Sequence, residues 1–153
     1  MANKGSLRTF FQIISLFGTL FFYIPVTAYL LKINSKLAIN LIFILIFTEI
    51  ISAAIKYIYP KQRPIPMPNK TFVQKYFAGS FPSVHTARIT AFSIAIAASN
   101  KIFMLTALLI ITAVGYSRIY LKKHYFIDVL AGFIIGALIS ILWLGIQNYL
   151  NLY

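Results

Sequence analysis

Ser117-Arg118-Ile119-Tyr120-Leu121-Lys122-Lys123-His124-Tyr125-Phe126-Ile127-Asp128 joins two apolar runs, Ile102 to Leu121 and His124 to Leu150, each long enough to cross a bilayer as a helix. Two further polar blocks stand at the edges of apolar runs in the same way. Lys56-Tyr57-Ile58-Tyr59-Pro60-Lys61-Gln62-Arg63-Pro64 closes a run from about Leu37 to Ile58, and Pro82-Ser83-Val84-His85 opens one that ends near Ser99. A leading run, Phe10 to Leu31, follows a basic head carrying Lys4 and Arg8. Its Val26-Thr27-Ala28 has the small-residue character of a signal-peptidase site, but four more spans follow, so an uncleaved span is expected. The reading is an all-α, polytopic transmembrane bundle of about five spans in one domain, 1–153. The long connection, Tyr59 to Phe81, carries Pro60, Pro64, Pro66 and Pro68 and is expected to be free of helix.

Composition supports the membrane class. The chain is 60% hydrophobic with a mean hydropathy of +0.84. It has no cysteine, which excludes disulfides, thiolate nucleophiles and cysteine metal sites. Fourteen Lys and Arg against two acids give a net charge of +12. Beside such apolar spans that excess points to anionic lipid and not to nucleic acid. With only Glu49 and Asp128 acidic, paired-carboxylate glycosidases and carboxylate-held metal pairs are disfavoured, and no metal or other cofactor is expected.

Threading the spans back and forth brings the three polar blocks to one membrane face. The second span ends there at Lys56, the third starts at Ser83, the fourth returns at Arg118 and the fifth leaves from His124. The third span is rich in small residues (Ala87, Ala91, Ser93, Ala95, Ala97, Ala98), as suits a helix in the middle of a bundle. Both histidines and one of the two acids of the chain fall in these blocks. Ionisable groups at that depth are costly and usually persist because they act. Lys56, Arg63 and Arg118 make a cationic clamp for non-bridging phosphate oxygens. Ser83 at a helix start, with the free N–H groups of Val84 and His85, makes an anion site. His124 and Asp128, four apart, share a helix face if that segment is helical. The carboxylate is then expected to bond one imidazole nitrogen and leave the other free to attack phosphorus. His85 remains as the acid for the departing oxygen.

Lys-x6-Arg-Pro, Pro-Ser-x-His and Ser-Arg-x5-His-x3-Asp, in that order at span ends, resemble the type 2 phosphatidic acid phosphatase superfamily. The match runs from Lys56 to Asp128. The resemblance implies metal-independent hydrolysis of a phosphomonoester or diphosphate through a phosphohistidine. By motif position His124 is the nucleophile, Asp128 its orienter and His85 the leaving-group acid, with Lys56, Arg63, Ser83 and Arg118 on the phosphate. Two departures stand out. Val84 occupies a place where the family usually has glycine: it keeps the N–H but crowds the pocket and resists positive φ. The family commonly has six spans, and five are expected here, without the leading one.

Other polar residues divide by position. Arg88, one turn after His85, is a candidate contact to a second phosphate or to headgroups. Glu49 is read as a structural partner on the Lys56 face. Lys61, Lys70, Lys75, Lys122 and Lys123 are read as solvated or headgroup-facing cations. Tyr116, Tyr120 and Tyr125 read as an interfacial aromatic belt, and Gly132 and Gly136 as a small-xxx-small pair packing a neighbouring helix. The expected activity is hydrolysis of a lipid phosphate or diphosphate in the cell membrane, the candidates being polyprenyl diphosphate, phosphatidylglycerophosphate-type lipids and phosphatidic acid. The different-class alternative is a catalytically weakened lipid-phosphate-binding relative. A vanadate-using haloperoxidase is disfavoured because that branch is typically soluble. Apart from the motif cations, Lys4, Arg8, Lys61, Lys70, Lys75, Lys122 and Lys123 share the motif face, against Lys32, Lys36 and Lys101 opposite, which favours a cytoplasmic site face. The sequence says nothing of oligomeric state.

Overall fold

The computed structural model describes residues 4–150, with the side chain of Lys4 outside that description. Among the described residues seven α-helices follow one another: α1 (Lys4–Leu16), α2 (Leu20–Ile33), α3 (Ser35–Ile58), α4 (Phe72–Ala78), α5 (Val84–Ser99), α6 (Met104–Tyr120) and α7 (Phe126–Tyr149), with one 3-10 turn, Lys101–Phe103, leading into α6. No strand occurs among the described residues. By length and composition α3, Lys101–Tyr120 and α7 are each able to cross a membrane, and the α1–α2 pair passes that test only as a bent unit.

The expected first span is therefore not one helix. The chain breaks at Phe17-Gly18-Thr19 and the two halves meet at a 44° bend. The Thr19 hydroxyl donates to the Leu16 carbonyl at 2.6 Å and ties up one of the freed acceptors. Ser15 meets Arg118, and Phe11 packs on Tyr116 and Tyr120 with ring centroids 5.3 and 4.4 Å away. So α1 lies along the end of α6 that carries the polar block. Tyr116 and Tyr120, read as part of an interfacial belt, hold α1.

The connection after α3 also differs from expectation, because α4 forms inside it. All four prolines lie upstream of that helix. Thr71 and Gln74 make a reciprocal capping box: the Gln74 N–H donates to the Thr71 hydroxyl and the Thr71 N–H to the Gln74 side chain, both at 3.2 Å.

At the centre stands α5, buried at Val84, Thr86 through Ser93 and Ala95. It touches α3, α6 and α7. Its closest neighbour is α7, and the small residues explain how. A Cβ on Gly132 would lie 2.4 Å from the Ser83 carbonyl, and one on Gly136 would lie 2.3 Å from the Ala87 carbonyl. One turn further on, the Ser140 hydroxyl donates to the Ala91 carbonyl at 3.1 Å. Backbone meets backbone along this line, as helices in lipid pack where the interface is small-sided. On α3 the buried line Leu41, Ile44, Thr48, Ser52, Lys56 advances by helical turns, so the burial that packs the core also carries Lys56 to the polar end. The apolar core gathers Tyr23, Leu41, Ile44, Ile89, Phe92, Ile111, Val114 and Ile139 from five helices.

Candidate active site

The three polar blocks meet at one end of this bundle around a cavity of about 70 Å³ lined by Lys56, Arg63, Tyr76, Phe77, Val84, His85, Arg88 and His124. That is room for one phosphoryl-sized group. Ser83, Arg118 and Asp128 do not line it, although all three are buried. Val84 does, at 6% exposure, so its side chain takes up space at the wall.

Each catalytic candidate is placed by backbone geometry. Ser83 precedes α5, and its N–H donates to the Asp128 carbonyl at 2.9 Å, which fixes the start of α5 against the first turn of α7. The Ser83 hydroxyl stands 3.0 Å from that of Thr86. After α6 the chain reverses through Lys122 at φ 53°, a left-handed position that lets Lys123 N–H and His124 N–H both return to the Arg118 carbonyl, at 3.0 and 3.2 Å.

His124 is held differently from the expectation. Its Nδ1 lies 2.7 Å from the Ser80 carbonyl and 3.9 Å from Asp128 Oδ2. A carbonyl only accepts, so Nδ1 carries the proton and Nε2 keeps its lone pair. One ring nitrogen is engaged and the other free, as expected, but the partner is Ser80 and Asp128 stands off. The carboxylate has other partners: Oδ1 accepts from Lys61 Nζ at 2.6 Å and Oδ2 from the Tyr125 N–H at 2.9 Å. Lys61 is thus no plain headgroup cation. Its ammonium also sits 4.7 Å from the centre of the Tyr125 ring.

Electrostatics keep the imidazole neutral. Burial first, then Arg63, Arg118 and Lys56, hold His124 well below the ordinary value of 6.5. In the folded state it resists protonation, so stability is lost as pH falls through the ordinary imidazole range, where the unfolded chain takes up the proton first. Burial also pulls the pKa of Arg63 down, with Asp128 working against it. Arg63 donates to the Lys123 and Gly79 carbonyls at 3.2 and 3.3 Å, while its buried Nε has no partner. Lys56 Nζ donates to the same Gly79 carbonyl.

A second ion pair braces the other candidates. Arg88 donates through Nε to Glu49 Oε2 at 2.8 Å, pairs with the same oxygen through Nη2, and reaches the Gly18 carbonyl through Nη1 at 3.2 Å. Tyr76 donates to the other Glu49 oxygen. Burial, then that bond, pushes the Tyr76 phenol above its ordinary value of 10.0, so it remains a neutral donor. Arg88 does reach the cavity wall, but its donors are engaged with protein acceptors. Gly18 is where the break between α1 and α2 touches the site: a Cβ there would lie 2.7 Å from the His85 Cβ. Sequence reading passed over Gly18, Tyr76, Gly79 and Ser80, and took Lys61 for a solvated or headgroup-facing cation. An isolated glycine inside an apolar run was a signal for the first. Gly79 and Ser80 act through carbonyls, which residue type does not reveal.

Two histidines, basic side chains and the start of α5 thus surround a phosphate-sized cavity at one end of a helical bundle. The chain belongs to the PAP2 superfamily, whose family model matches residues 37–152. It is an integral membrane protein of that family. It is 28% identical over 153 residues to an undecaprenyl-diphosphatase of Sulfolobus acidocaldarius, covering 97% of this chain and 73% of the relative. Two crystal structures share the fold. LpxE of Aquifex aeolicus superposes with a TM-score of 0.80 at 22% identity, over 94% of this chain and 88% of that one. A PAP2-type phosphatidylglycerolphosphate phosphatase of Bacillus subtilis gives 0.78 at 20% identity, over 97% and 80%.

Proposed function

We propose that this chain hydrolyses a lipid phosphate or diphosphate at the bilayer interface through a phosphohistidine on His124. The observation that carries the reading is the His124 ring: Nδ1 is committed to the Ser80 carbonyl at 2.7 Å, and the ring lines a cavity of about 70 Å³ shared with His85, Lys56 and Arg63. In the first step Nε2 attacks phosphorus, and the bond to the lipid oxygen breaks. His85 gives that oxygen its proton; the phosphate's own negative charge favours a protonated His85 among these cations. In the second, water attacks phosphorus, the P–N bond breaks, and His85 takes back a proton. Lys56 and Arg63 at the cavity wall, with the N–H groups that follow Ser83, offset charge on the non-bridging oxygens, and Arg118 adds positive charge from behind the wall. Asp128 supplies negative charge near the ring when it becomes cationic.

Among the candidate substrates, polyprenyl diphosphate is the class favoured by the relative's name, ahead of phosphatidylglycerophosphate-type lipids and phosphatidic acid. Val84 at the cavity wall supports the second reading, a relative that binds lipid phosphate and turns it over weakly. The site lies in the cell membrane, with the excess of lysines at its end of the bundle favouring the cytoplasmic face.

No metal enters this scheme, because both carboxylates are committed to cations, Glu49 to Arg88 and Asp128 to Lys61. Detergent-purified protein should release phosphate from a panel of these lipids at the same rate in EDTA as without it. Loss of turnover in EDTA with recovery in magnesium overturns the metal-free scheme, and tight lipid-phosphate binding without release favours the second reading.

A further inference from the structure

Lys61 lies between Lys56 and Arg63, the two ends of the first motif block, inside the x6 stretch where the motif specifies nothing. Its side chain is 26% exposed, yet its ammonium is 2.6 Å from a carboxylate with no exposure at all. The rings of Tyr125 and Phe81 flank it, with centroids 4.7 and 6.0 Å away. Its main chain is engaged too: the Ser80 N–H donates to the Lys61 carbonyl at 2.8 Å. The next hydroxyl does the same, Ser80 Oγ to the Gln62 carbonyl at 3.0 Å.

These bonds converge on His124. The imidazole Nδ1 has two groups before it, the Ser80 carbonyl at 2.7 Å and Asp128 Oδ2 at 3.9 Å. Residue 61 holds both, Ser80 through its carbonyl and Asp128 through its ammonium. We infer that Lys61 is a positioning residue for the nucleophile, keeping the Asp128 carboxylate paired and at a distance so that His124 remains a neutral Nδ1–H imidazole bonded to Ser80. The inference rests on the assignment of His124 as nucleophile.

The physical argument concerns where a buried charge is spent. An ionised carboxylate without a partner in so dry a place is very unfavourable. With Lys61 gone, the nearest group able to become its counter-ion is His124. An imidazolium is not a nucleophile, so the enzyme loses its active form at a higher pH than before. The other groups facing His124 are Lys56 from α3, Arg63 and Tyr76 from the connection, His85 and Arg88 from α5, and Arg118 from α6. Changes at position 61 leave all of them in place.

The test measures kcat/KM against pH for the full chain in detergent, with p-nitrophenyl phosphate as substrate. Its leaving group barely needs protonation, so the acid limb reports His124 and not His85. Wild type, K61M, K61Q, K61R and H124A are compared. The expected result is an acid limb raised by about half a pH unit or more in both K61M and K61Q. The kcat should fall about tenfold, with a smaller change in KM, as when a partner behind a catalytic group is lost. K61R, which restores the charge, should return the limb towards wild type. Should K61M fail to accumulate as folded protein, K61Q and K61R decide. Limbs that coincide across the variants, or K61R shifted as far as K61Q, overturn the inference while H124A remains inactive. A wild type without turnover, or an active H124A, overturns the nucleophile assignment first and the role of Lys61 with it.

Discussion

Glu49 and Asp128 make a natural pair to compare, since they are the only acids of the chain and each is paired with a basic side chain at the end of the bundle that holds the histidines. Glu49, with its side chain 33% exposed, joins separate pieces of the fold: Tyr76 of α4 on one oxygen, Arg88 of α5 on the other, and through Arg88 the Gly18 break between α1 and α2. Asp128, wholly buried, acts within a few residues of the nucleophile: Lys61, the Tyr125 N–H, and His124 at 3.9 Å. The charges are alike and the partners are alike. What differs is the next contact, which is scaffold for one and a reactive ring for the other.

Neutralising each acid in turn separates the two roles. Asp128→Asn is expected to cut kcat about a hundredfold, since the group beside the ring loses its charge and Lys61 its partner. Glu49→Gln is expected to cost less than about tenfold in kcat but about 2 kcal/mol of stability, because Arg88 stays buried without its counter-ion and Glu49 was only partly buried. Steady-state kinetics and thermal melts on both variants measure this. A Glu49→Gln enzyme as inactive as Asp128→Asn would place Arg88 in the chemistry.

The Asp128 side also depends on how closely α7 approaches α5. Gly132→Ala should cost about 2 kcal/mol and lower kcat, since the new methyl meets the Ser83 carbonyl at 2.4 Å and must displace the start of α5. Gly145→Ala, with nothing within 4 Å, should melt and turn over as wild type does. Equal behaviour of the two would mean that the glycine contact does not hold the site in register.

The smallest effect is expected at the cavity wall. Val84→Gly removes a side chain from that wall and keeps the N–H, so activity should be retained or rise modestly. A large fall in kcat would show that valine is an adapted part of this pocket.

Much of this was legible in the sequence where chemistry and geometry shared a signal. Lys56 could be placed because it ends an apolar run at helical spacing, and His124 because it opens one. Gly132 and Gly136 were readable as packing residues from their spacing alone. The break at Gly18 had only an isolated glycine as its signal, because the run from Phe10 to Leu31 is apolar on both sides of it and its contacts with Arg88 and His85 lie across the bundle. α4 was hidden behind the prolines that precede it. The partner of His124 was missed for a related reason: i, i+4 spacing identifies Asp128 as a neighbour, whereas the Ser80 carbonyl comes from a stretch 44 residues away and has no side-chain signature. Lys61 looked like one more lysine in a basic chain until its ammonium was seen against a buried carboxylate.

The assignment of the two histidines is the step on which the mechanism turns. It is tested most directly by assaying His124→Ala and His85→Ala on both a lipid phosphate and an aryl phosphate. His124 forms the covalent bond whatever the leaving group, so His124→Ala should be inactive on both substrates while still binding a phosphate analogue. His85→Ala should lose far more activity on the lipid, whose alkoxide needs a proton, than on the aryl phosphate, whose phenolate does not. His85→Ala inactive on both, with His124→Ala retaining aryl phosphatase activity, would reverse the two roles.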